Sequence, residues 1–175
     1  MRQPRRLAWL FLLPWMPLTV AHGADVKLQQ PKIFENASGE KLPYLLHVPE
    51  GATVGEPLPL VVFLHGAGER GHDGKLQMKH RQVLDLLTAK GSPPAIFVAP
   101  QCPPDEKWSN VHWGSEKPEP QDAEPTRPMR LLLELLDALA KDLPIDPSRR
   151  YVTGLSMGGF GTFEAGPRGH QPLIS

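Results

Sequence analysis

The stretch Tyr151-Val-Thr-Gly-Leu-Ser-Met-Gly-Gly-Phe160 limits the fold of this chain more than any other. An apolar run enters Gly154-x-Ser156-x-Gly158, and Met157-Gly-Gly-Phe-Gly-Thr-Phe163 continues from it as the opening of a helix. A strand that turns at once into a helix puts the tip residue in a strained backbone conformation. The positions two residues to either side then have no room for a Cβ, and Gly154 and Gly158 meet that demand. A serine hydroxyl is a weak nucleophile. Such a turn presents it to a base and to backbone N–H donors, which makes Ser156 the candidate nucleophile. An ordinary glycine-rich turn would use the same letters, but the strand before and the helix after favour the nucleophilic reading.

The rest of the chain supplies a matching scaffold. Lys32-Ile-Phe34 and Lys41-Leu-Pro-Tyr-Leu-Leu-His-Val48 flank the turn-rich Asn36-Ala-Ser-Gly39, which predicts an antiparallel hairpin at a sheet edge. Pro43 suits an edge better than a centre. Leu58-Pro-Leu-Val-Val-Phe-Leu64 and Ala95-Ile-Phe-Val-Ala99 are continuous apolar runs, as expected of strands buried on both faces. Leu76, Val83, Leu84 and Leu87 recur at helical spacing and predict a helix over about 76–90, ended by Gly91 and Pro93-Pro94.

Residues 100–128, crowded with proline and charge around Trp108 and Trp113, read as a long surface loop. Leu132, Leu135, Leu136, Leu139 and Leu143 mark a second helix, stopped by Pro144. Ile145-Asp-Pro-Ser148 reads as a turn ahead of the last strand. Strand, helix, strand, helix, strand predicts an α/β fold with a mostly parallel sheet, flanking helices and the N-terminal hairpin.

Loops at the carboxyl ends of parallel strands are where sites form in such sheets. His65-Gly-Ala-Gly-Glu-Arg-Gly71 follows the first buried run. Its glycines allow close backbone approach, so the N–H groups of Ala67 and Met157 are the candidate oxyanion hole. Each such donor is worth about 3 kcal/mol of barrier. Gly66 and Gly68 shape the loop. His65 precedes the serine in sequence, whereas the base follows it in this arrangement, so a structural role holding the loop by hydrogen bonds is the expectation for it. His72, His80 and His112 read as solvated.

Composition narrows the remaining possibilities. Net charge is zero and no basic stripe suggests nucleic acid. Cys102 is the single cysteine and reads as a small buried residue. The seven histidines show no zinc-site spacing, so no metal is expected. Arg2, Arg5 and Arg6 precede an apolar stretch from Leu7 to Val20 and the small residues Ala21-His-Gly-Ala24. That is the order of an export signal over residues 1–23, and the stretch is short of the ~20 residues of a membrane span. The expected location is periplasmic or secreted, with residues 24–175 forming one domain and no membrane span left after cleavage.

His65-Gly-Ala-Gly-Glu-Arg-Gly71, Ala99-Pro-Gln-Cys-Pro103, Trp108 and Gly154-Leu-Ser-Met-Gly-Gly-Phe-Gly161 together resemble secreted esterases of the α/β-hydrolase superfamily. The similarity is to bacterial phospholipase/carboxylesterase and dienelactone-hydrolase-like proteins, related to feruloyl and acetylxylan esterases and to the prolyl oligopeptidase catalytic domain. It runs from about Ile33 to Phe163. It implies an acyl-enzyme on Ser156, small-molecule or polysaccharide-linked carboxylic esters as substrates, and no cofactor. A serine peptidase of the prolyl oligopeptidase type shares these parts. A different class of function, a non-catalytic secreted binding module, would use Trp108 and Trp113 as a stacking platform.

In the resembled family the triad acid and histidine follow the serine. Here no aspartate follows Ser156, and Glu164 and His170 are the only candidates. A helix rising ~1.5 Å per residue would carry Glu164 about 12 Å from the serine, too far for a triad. Ala165-Gly-Pro-Arg-Gly-His-Gln-Pro172 also departs from helical spacing. The expectation is a fold incomplete after the nucleophile elbow: family-like to about residue 163, with an atypical tail over 164–175.

Overall fold

The computed structural model describes residues 31–53, 55–111, 124–168 and 173. The export segment, Trp113, His112 and His170 lie outside the described residues. Five strands form one sheet in the order β1-β2-β4-β3-β5. They are β1 (Lys32–Glu35), β2 (Lys41–His47), β3 (Leu58–Leu64), β4 (Ile96–Pro100) and β5 (Ile145–Gly154). β3 runs parallel to β4 and β5, while β2 is antiparallel to both β1 and β4. Every strand but β2 therefore points the same way.

Alternation along the buried strands divides the core in two. Leu60, Val62, Leu64, Ile96 and Val98 pack with helix α2 (Arg127–Asp142). Phe63, Phe97 and Ala99 face the other way, against Leu84 of helix α1 (Gln82–Leu87). The chain goes from β3 to β4 on one side, then crosses back past β3 to β5. The loops after β3, β4 and β5 thus gather at one end of the sheet, at the point where strand order reverses.

Helix α2 forms as its spacing predicts. Leu131, Leu132, Leu135, Leu136 and Leu139 are buried, and the Thr126 hydroxyl caps the start by accepting from Met129 N–H at 3.3 Å. Glu40 binds Arg127 and Arg130, fastening the hairpin turn to this helix.

The structure corrects several local expectations. The helix expected over 76–90 is a 3-10 turn, Leu76–Met78, followed by the short α1. The hydroxyls of Thr88 and Ser92 bond the carbonyls of Leu84 and Leu86 and end it early. Pro43 lies on β2, the inner strand of the hairpin, and contributes through its carbonyl, which accepts Gln101 N–H at 2.8 Å.

The turn expected at 145–148 is present as an irregularity within β5. Leu58 pairs with Ile145 but Leu60 pairs with Arg150, and Asp146 accepts from Ser148 N–H inside the loop-out. The break expected near residue 163 does not end the last helix. Helix α3 runs from Met157 to Arg168, with Glu164 and Ala165 buried and Leu173 also in the core. Among the described residues, β5 is paired on one side only.

Candidate active site

The sheet end defined by β3, β4 and β5 carries the sequence motifs. Ser156 sits between β5 and α3 with φ of 51°, in the left-handed region that a non-glycine residue enters only under constraint. Its neighbours show what imposes that geometry. An ideal Cβ on Gly154 would lie 2.4 Å from the backbone of Gly158, and one on Gly158 would lie 1.9 Å from Leu64 O. Helix α3 is therefore pressed against the ends of both β5 and β3. Leu155 N–H donates to Leu64 O at 3.0 Å and locks the turn onto β3. Ser156 itself is exposed.

Facing it is the loop after β3. The direction in which Gly66 would carry a Cβ points at Glu69 Oε2, Leu155 O and Ser156 Cβ, the last at 3.7 Å. Ala67 opens the 3-10 turn Ala67–Glu69, and Met157 opens α3. The first N–H groups of a helix have no acceptor within it, and both expected oxyanion donors open such a segment, Met157 next to the serine in sequence and Ala67 next to Gly66. Gly68 has open space around the position of its missing Cβ. Of the two loop glycines expected to shape this turn, Gly66 is therefore the sterically restricted one.

His65 is buried, and its bonds decide its protonation. Cys102 N–H can only donate, and it reaches His65 Nε2 at 2.9 Å. Nε2 is therefore the unprotonated nitrogen. The proton sits on Nδ1, which donates to Gly66 O at 2.6 Å. Burial pushes the imidazole below its ordinary value, opposed by the bond to Gly66 and the Glu69 charge. A base whose free lone pair already accepts from the backbone cannot serve Ser156. The ring instead ties the end of β3 to the end of β4.

That tie makes a pH dependence. A histidine lowered in the folded state stabilises the fold fully above its unfolded value, near 6.5, and loses this as pH falls. The thermal midpoint of the chain should therefore drop as pH is taken from 7 toward 5. His65→Gln should flatten part of that slope, and the remainder belongs to His47, which burial also lowers. An unchanged slope in His65→Gln would contradict the tautomer assigned here.

Trp108 corrects the expectation of a surface loop and of a stacking platform. The indole is fully buried, its Nε1–H donates to His65 O at 3.1 Å, and the two rings meet edge to face at 5.5 Å. Gly161 of α3 packs directly on it. A side chain so enclosed has no face left for a ligand. Gln101, Cys102 and Ser109 are buried with it. The Cys102 thiol is pushed up to about 12, chiefly by burial, and is inert at neutral pH.

Glu164 is turned inward on α3, 3.4 Å from Arg168. It stands eight residues past the serine, on the helix that begins after it, where it cannot orient a base for Ser156. Sequence reading missed the parts played by Gln101 and Glu69. Their signal was the pair of motifs in which they lie, not any periodicity. Among the described residues no group of His, Cys, Asp and Glu is placed to hold a metal, and no helix is long and apolar enough to cross a membrane.

A strained serine between two glycines, at the strand ends of a mostly parallel sheet with flanking helices, defines the α/β-hydrolase class. Residues 36–165 match the Esterase family, and the chain belongs to it. No curated protein sequence matches. A solved thermostable esterase is 35% identical with a TM-score of 0.60, over 77% of this chain and 36% of its own. A ferulic acid esterase is 21% identical with a TM-score of 0.55, over 82% of this chain and 56% of its own. An S-formylglutathione hydrolase from Agrobacterium tumefaciens is 18% identical with a TM-score of 0.54, over 82% and 54%. The last two share the fold. The chain thus spans between about a third and just over half the length of these relatives.

Proposed function

We propose that this chain carries the nucleophile and oxyanion donors of a carboxylic ester hydrolase. The observation that carries the reading is Ser156 at φ 51°, held between Gly154 and Gly158 opposite the Gly66–Ala67 turn. Ser156 Oγ attacks the ester carbonyl, and the N–H groups of Ala67 and Met157 receive the charge that develops on its oxygen. The tetrahedral intermediate collapses with loss of the alcohol, and water then hydrolyses the acyl-enzyme. The base that takes the serine proton, and the carboxylate that orients it, are in this reading supplied from outside these 175 residues. The inward-facing Glu164 and the backbone-bonded His65 support that assignment.

A chimera tests it. Residues 24–165 are joined to the part of the thermostable esterase that this chain does not span, and p-nitrophenyl acetate turnover is measured. The chimera should hydrolyse the ester, and Ser156→Ala should lower kcat by about 10⁴-fold or more. The 175-residue chain alone should show little or no turnover. Serine-dependent turnover by that chain would overturn the assignment of base and acid. A folded chimera whose activity survives Ser156→Ala would overturn the nucleophile.

A further inference from the structure

The oxyanion donor at Ala67 is only as well placed as the turn that bears it, and that turn is short. Below, it rests on the His65 staple. What holds it above is a residue of another strand. Gln101, just past the end of β4, is fully buried, and its amide is used at both ends. Its Oε1 accepts Gly74 N–H at 2.7 Å. Its Nε2 donates to Asp73 Oδ1 at 2.9 Å and to Glu69 O at 3.3 Å. Asp73 Oδ1 in turn accepts the N–H groups of Lys75 and Leu76.

The neighbouring backbone adds Gly71 N–H to Cys102 O at 3.0 Å and Gln101 N–H to Pro43 O at 2.8 Å. A Cβ on Gly71 would lie 2.7 Å from Gln101 Nε2, so the loop closes directly over the amide.

Only a primary amide fits these partners. One atom must accept from a backbone N–H while its neighbour donates twice. A carboxylate of the same shape cannot donate and would face Asp73, and an apolar side chain would leave Gly74 N–H and Glu69 O unsatisfied. Between the two fastened ends lie Glu69, whose carboxylate packs at Gly66, and Arg70, whose Nη2 meets Met157 Sδ at 3.2 Å. The clamp therefore connects to the residues of both oxyanion donors. We infer that Gln101 is a positioning residue, which fixes the Gly66–Gly74 loop so that Ala67 N–H and Met157 N–H converge on one oxygen. The positional claim stands on the geometry, while its catalytic meaning rests on the ester-hydrolase reading above.

The test uses the full 175-residue chain with Gln101→Glu, Gln101→Met and the double variant Asp73→Asn/Gln101→Glu. Amide hydrogen exchange is read at Glu69, Gly71 and Gly74, whose N–H groups are bonded, with Val62 and Val152 as sheet references. Covalent modification of Ser156 by an alkyl fluorophosphonate is read alongside in the chimera described above, which supplies the base, carrying the same substitutions. Both single variants should speed exchange across the loop by about tenfold and slow modification by a similar factor, leaving the sheet references unchanged.

The double variant should recover part of both effects. Asparagine at 73 removes the negative charge that faces the carboxylate placed at 101, while Glu69 O stays without its donor. Loop exchange at the wild-type rate in Gln101→Met overturns the inference. So does acceleration of loop and sheet together in every variant, or a double variant no better than Gln101→Glu. If the fluorophosphonate fails to modify Ser156 in every folded chimera, the ester-hydrolase reading falls, while the exchange rates still decide the role of Gln101.

Discussion

Gly158→Ala should abolish the cooperative fold of this chain, or lower its stability by about 4 kcal/mol or more. The added Cβ would lie 1.9 Å from Leu64 O, 2.5 Å from Leu64 C and 2.9 Å from His65 O. All three are backbone atoms at the end of β3, so no rotamer change relieves the clash. Relief requires moving α3 away, which breaks the Leu155 N–H bond to Leu64 O and the pairing of Leu64 with Gly154. Gly68→Ala is the control, since nothing lies within 4 Å of its added methyl. Urea denaturation followed by circular dichroism reads both. A Gly158→Ala protein as stable as Gly68→Ala would mean that the elbow is not packed as described.

The second large effect is expected at Trp108. Truncating a buried tryptophan to alanine costs about 3–5 kcal/mol. Here the loss reaches past the cavity, because the indole also bonds His65 O and packs against Gly161 of α3. Trp108→Phe keeps most of the volume but leaves His65 O without its donor, a change worth about 1–3 kcal/mol. The denaturation midpoint should therefore fall in the order wild type, Trp108→Phe, Trp108→Ala. A Trp108→Ala chain of wild-type stability would restore the reading of the indole as a ligand platform.

These two residues show where sequence reading succeeded and where it stopped. Gly158 was legible because the elbow is a local constraint. Its glycines, serine, strand and helix are contiguous, and the steric reason for each is independent of the rest of the fold. β3 and β4 were legible because a strand buried on both faces is apolar throughout. Trp108 and Gln101 were not legible in the same way. They lie in a proline-rich segment without periodicity, and their burial depends on α2, α3 and the β3 loop arriving from far along the chain.

Helix α3 outran its sequence pattern for a different reason. Propensity argues against a helix over Gly166-Pro167, yet Glu164 and Ala165 lie on the buried side of α3, and packing carries the helix through to Arg168. The helix at 76–90 shows the converse. Its apolar spacing was right, but Asp73 and Gln101 hold the preceding loop, and the hydroxyls of Thr88 and Ser92 cut the helix short.

The sheet's two margins are unlike in kind. At one margin β1 is four residues long and charged, with Lys41 of β2 bound to Glu35 at 3.3 Å, a margin that discourages further strands. At the other, β5 is ten residues long, and the exposed Tyr151, Leu155, Phe160 and Phe163 lie along it and on α3. Among the described residues, the longer free edge of the sheet is the one beside the nucleophile. Whatever strand is laid against β5 becomes a neighbour of Ser156.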